Sequence, residues 1–160
     1  MRTLTRTSVL VVTVAIVAAA CGSKARLTKP QYERQVNHIV RQLSATLDST
    51  FSSTKLAHPA SLKDAAEVLR KGQKSMEEAA DRLDALNPPE RIEGIHEDLV
   101  KGIRDFAASF GEFATATEKG DLAAIQRFNQ QVGDQTLPAM TEIQKAVDAL
   151  KAKGFDMSNG

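Results

Sequence analysis

From Tyr32 onward the apolar residues fall three and four positions apart. In "PQYERQVNHIVRQLSATLDSTF" they are Tyr32, Val36, Ile39, Val40, Leu43, Leu47 and Phe51. This spacing puts them on one face of an α-helix. Pro30 suits the first turn, where its missing N–H costs nothing. "AHPAS" interrupts the pattern at residues 57–61. Ser61 then offers a cap for a second helix, with Asp64 near that helix's positive end. Its stripe is Leu62, Ala65, Ala66, Leu69, Met76, Ala80 and Leu83, and "NPP" ends it at 87–89. The third stripe is Ile92, Ile95, Leu99, Ile103, Phe106, Phe110 and Phe113. It runs to "EKGD", where Gly120 can close one helix and Asp121 cap the next. The fourth stripe is Leu122, Ile125, Val132, Met140, Ile143, Val147 and Leu150, stopping at Gly154. Pro138 lies inside it, removes one hydrogen bond and crowds Asp134. The stripe stays in phase across Pro138, which predicts one kinked helix. Four amphipathic helices on short links predict an all-α, up-down-up-down four-helix bundle over residues 29–154. Residues 155–160 read as a short tail.

A different pattern precedes the bundle. The apolar run Ser8 to Ala20 is shorter than the roughly 20 residues a spanning helix needs. Arg2 and Arg6 stand before it, and Ala18, Ala19 and Ala20 close it. A basic start, a short apolar middle and a small-residue end predict a signal peptide over residues 1–20. The stretch "VAAAC" resembles the lipobox of bacterial lipoproteins, with Ala18 where the usual pattern has leucine. The resemblance implies that the Cys21 sulfur receives a diacylglycerol, that cleavage follows before Cys21, and that the new amine is then acylated. Residues 21–28 become a lipidated cysteine and tether. The protein is then held at the outer face of the cell membrane, or in the outer membrane of a two-membrane cell. A single acyl chain binds only marginally, so firm anchoring takes two or three. "LTKPQYERQVNHIVRQL" and "LDALNPPERIEGIHEDL" resemble uncharacterised helical lipoproteins and exported proteins of actinobacteria. That group implies no activity.

Charge narrows the partners. The chain has 21 basic and 20 acidic residues. Loss of Arg2 and Arg6 with the leader turns the balance slightly acidic. No basic face with aromatic platforms points to nucleic acid. Cys21 is the only cysteine. No disulfide can form within the bundle, which must rely on its apolar core.

Chemical motifs are sparse. His38 lies opposite the first stripe, and His58 falls in a predicted link. His96 sits at the edge of the third stripe in a Glu93-x-x-His96 spacing. Ferritin-like di-iron bundles need that spacing on two helices and a glutamate from each of the others. One copy predicts a boundary histidine over Leu99 and Val100. There is no Gly-rich phosphate loop and no nucleophile elbow. Glu77, Glu78, Asp81 and Asp84 lie off the apolar stripes and predict a solvated face. The expectation is no enzyme, no metal and no cofactor.

Polar residues do fall inside two stripes, Gln73 in the second and Asn129 and Thr136 in the fourth. They read as a polar layer fixing helix register, or as the polar lining of a ligand cavity. Phe51, Phe106, Phe110, Phe113 and Phe128 come from three helices and gather at the end remote from Cys21. They read as core, or as a pocket for an apolar ligand. Two functions follow. The first is a non-enzymatic bundle presented to an envelope protein partner. The second is a carrier or sensor of a small apolar ligand held near those phenylalanines. A cavity beside the rings favours the second, and a solid core with an exposed apolar patch favours the first.

Overall fold

The computed structural model describes residues 25–52 and 60–157, so the leader segment, Cys21 and His58 lie outside the described residues. The described chain is all-α: α1 (Lys29–Phe51), α2 (Leu62–Asp84), a short 3-10 turn (Glu90–Ile92), α3 (Glu93–Lys119), α4 (Leu122–Gly133) and α5 (Pro138–Ala152). α1, α2 and α3 are three arms of a four-arm bundle, and α4 with α5 makes the fourth. No described helix is long and apolar enough to cross a membrane.

Local chemistry sets the ends. Gln31 Oε1 accepts from the Thr28 N–H at 2.9 Å, and Pro30 lies in the first turn of α1. Ser61 Oγ accepts from the Asp64 N–H at 3.1 Å. Gly120 closes α3 at φ 68°, in the left-handed region open to glycine, and Asp121 caps α4 through the Ala124 N–H.

The predicted kink at Pro138 is a break. α4 stops at Gly133, Gln135 takes a left-handed φ of 55°, and Pro138 starts α5. A continuous helix would set the proline ring against the Asp134 carbonyl. Restarting with proline in the first turn removes both the clash and the missing donor.

α2 and α3 form the tightest pair. Ala66, Ala80, Ala107 and Ala114 are fully buried, and such small side chains let the two backbones approach closely. Arg104 spans the pair, donating to Asp81 and Asp84 at 3.0 Å each, and Arg70 reaches Glu118. These ion pairs are exposed and screened by solvent, so they orient the two helices more than they stabilise them. α5 presses on α3 at Gly102, where a Cβ would lie 2.9 Å from Ile143 Cγ1.

The predicted boundaries shift at both ends. The Leu27 N–H donates to the Asn87 carbonyl at 2.8 Å, and Arg26 Nη1 donates to the Pro88 carbonyl at 3.1 Å. The bundle therefore begins inside the segment read as tether. Beyond α5, Phe155 is only 2% exposed, and the Asp156 N–H donates to Glu33 Oε1 at 2.7 Å. Residues 155–157 are part of the packed domain because Gly154, at φ 80°, turns the chain back onto α1.

Candidate functional site

α1 packs on α2, and α5 packs on α3, but α1 and α5 are not packed helix against helix. Between them lies an apolar groove of about 270 Å³. α1 supplies Val36, Asn37, Val40, Leu43 and Leu47, and α5 supplies Ile143 and Val147. The floor is Met76 and Leu83 of α2 with Leu99, Ile103 and Phe106 of α3, and Met157 joins from the C-terminal segment. The mouth residues Val40, Leu43, Leu47, Ile143 and Val147 are half-buried. Asn37 is the one polar lining residue. The lining holds no acid, base or nucleophile. The groove can bind an apolar group but offers no group to react with it.

Helix length explains the opening. α1 has 23 residues and α5 has 15, or about 35 and 23 Å at 1.5 Å per residue. α4, which would have covered the rest of α1, leaves at the Pro138 break and packs on α3 instead. The α1 stripe is legible in the sequence, whereas the missing partner is not.

The five predicted phenylalanines do come together. Phe110 is the hub, with ring centroids 5.8 Å from Phe51, 5.5 Å from Phe106, 6.3 Å from Phe113 and 5.6 Å from Phe128. Phe113 and Phe128 stack at 4.3 Å. All five are half-buried, and a small cleft of about 170 Å³ opens beside Phe113 and Phe128, with Glu112, Arg127 and Gln131 in its lining. Only Phe106 also reaches the groove.

The polar residues predicted inside the stripes are not in the core. Asn129 and Thr136 are exposed, because the break turns α4 away from the bundle axis and Thr136 falls in the connecting turn. Gln73 is half-buried on the far side of the α2–α3 pair, beside Gly111, and donates to Glu77 at 2.9 Å. They form neither a register-fixing layer nor a lining for the groove.

The buried polar pair is elsewhere. Tyr32, fully buried, lies with its hydroxyl 3.1 Å from His96 Nδ1, and the rings meet edge to face. His96 is 4% exposed, well inside the boundary position its stripe predicted. Among the described residues its Nε2 has no hydrogen-bond partner. Burial pushes the Tyr32 phenol far above its usual range, so it stays a neutral donor. Burial pushes His96 below the usual histidine range, while the Leu83 carbonyl and the Asp84 and Glu97 carboxylates pull the other way. No group of metal-binding side chains occurs among the described residues.

A pH dependence follows. The unfolded chain takes up a proton at His96 below about pH 6.5, and the folded state resists it until lower pH. The unfolded state binds more protons in that window, so stability is full above it and falls as the pH drops through it. Thermal unfolding between about pH 7.5 and 5.5 should therefore show a loss that His96→Gln reduces. An equal loss in both proteins would exclude His96 as the cause.

The chain matches no protein-family model, no curated protein and no solved structure.

Proposed function

We propose that this chain is an exported lipoprotein whose bundle holds a small apolar ligand beside the membrane, as a carrier or sensor. The observation that carries the reading is the groove between α1 and α5. Its walls are apolar and its mouth is open. Water released from such a surface gives about 25 cal/mol per Å² of apolar area covered. Its volume is near the roughly 300 Å³ lower end of ligand pockets, which suits one short chain or ring. The lipobox-like "VAAAC" supports attachment through Cys21. The absence of titratable groups from the groove favours binding over catalysis.

A diazirine-bearing alkane, photolysed with the full chain in its membrane fraction, should label residues 36–47 and 143–147. Val147→Trp and Leu47→Trp should each remove that labelling, because the indole fills the groove. Labelling that persists in both folded variants, or that maps elsewhere, would refute the reading.

One observation favours a second reading, presentation of the bundle to an envelope protein. Leu62 is 53% exposed and Leu122 70% exposed, both at the end remote from residue 25, where Leu62 approaches Gly120 two residues before Leu122. Apolar residues grouped in this way suit a protein contact. Leu62→Asp with Leu122→Asp would abolish capture of such a partner and leave alkane labelling of the groove unchanged.

A further inference from the structure

We propose that the groove takes a single-chain anionic amphiphile, with its tail between α1 and α5 and its head at Arg34 and His38. This rests on the apolar-ligand reading and adds a chemical class to it. The groove does not end in solvent. At Asn37 it adjoins an open polar depression, and Asn37 lines both. The depression carries Glu33, Arg34, His38 and Arg41 along α1, with Asp156 of the C-terminal segment beside them.

Two arginines, Arg34 and Arg41, face two carboxylates, Glu33 and Asp156, and Lys29 beside Glu33 tips the local balance to one positive charge. Glu33 is already engaged, accepting from the Asp156 N–H at 2.7 Å and pairing with Lys29 at 3.3 Å. Arg34 is exposed and makes no ion pair among the described residues. Asn37 is held in place by donating to the Asp156 carbonyl at 3.2 Å. An apolar chain beside Val40 and Leu43 would emerge at Asn37, within reach of one cationic guanidinium and one imidazole. A planar guanidinium suits a carboxylate or phosphate oxygen pair. The small volume of the groove excludes a second chain of similar length. The head contact is solvent-exposed, so it selects among ligands and adds little affinity.

The test compares two diazirine probes with the full chain in its membrane fraction at alkaline pH, a dodecanoate and the matching dodecanol. The dodecanoate should label residues 36–47 about two- to fivefold more strongly, the range expected of an exposed charge-assisted contact. Arg34→Glu should abolish that preference and leave dodecanol labelling unchanged. Because Arg34 is exposed, this variant should fold normally. Equal labelling by both probes, unaltered by Arg34→Glu, would overturn the anionic-head proposal while the groove stands. No labelling by either probe would overturn the apolar-ligand reading as well.

Discussion

Phe155→Ala should lower the unfolding free energy by about 3–5 kcal/mol, the range for truncating a buried phenylalanine. The ring is 2% exposed and meets Tyr32 edge to face at 5.5 Å. The Arg91 guanidinium lies 5.0 Å from its centroid and the Lys29 ammonium 5.9 Å, on contacts that add about 0.5–1 kcal/mol each. Removing the ring loses these contacts and leaves a cavity over Tyr32, whose hydroxyl lies 3.1 Å from His96 Nδ1. Against a typical total of 5–15 kcal/mol, the loss is large. It should also loosen the groove, because residues 155–157 tie α1 to α5 through Glu33 and Asn37. Urea or thermal unfolding measures the effect. Met157→Ala is the control, since Met157 is only half-buried and should cost much less. A loss below about 1 kcal/mol for Phe155→Ala would mean that the C-terminal segment does not close the bundle.

Cys21→Ala should move the protein out of the membrane or leave it as an uncleaved precursor. On the lipobox reading the effect would be close to all-or-none, because two or three acyl chains would be lost together and each buried methylene contributes about 0.8 kcal/mol. No described helix can replace them. A mutant that is normally processed and still membrane-bound would exclude the lipobox reading. The docked Arg26 sharpens the geometry. Only Gly22 to Ala25 separate it from Cys21, a reach of at most about 18 Å over five Cα–Cα steps. The end of the bundle around Asn87 and Pro88 should then lie at the headgroups. A headgroup quencher should act on a label at Asn87 more strongly than on one at Lys119.

The helical stripes were legible because each is a local property. Three- and four-residue spacing, Ser61 and Asp121 as caps, and Gly120 as a stop act within a few residues of themselves. The meeting of five phenylalanines was also legible, since short links force alternate helix directions. The polar residues were misplaced for a single reason. Their assignment to the core assumed one continuous fourth helix, and the Pro138 break turned Asn129 outward and freed Thr136 into a turn. The groove was not legible at all. Each of its residues belongs to an ordinary core stripe, and Val40, Leu43 and Val147 look no different from residues that are fully packed. His96 looked like a boundary residue because its burial comes with a contact to Tyr32, 64 positions away.

The sequence by itself determined the helices, most of their ends, the all-α class and the lone cysteine after a short apolar run. These depend on periodicity, backbone chemistry and composition, all read within a few turns of chain. Only the tertiary structure decided which stripes meet. α2 and α3 close on each other because alanines let their backbones approach. α1 and α5 do not pack directly on each other, and the fourth arm is broken at a proline that cannot continue a helix. A stripe becomes core or binding surface according to whether a partner covers it, and that depends on residues far away in the chain.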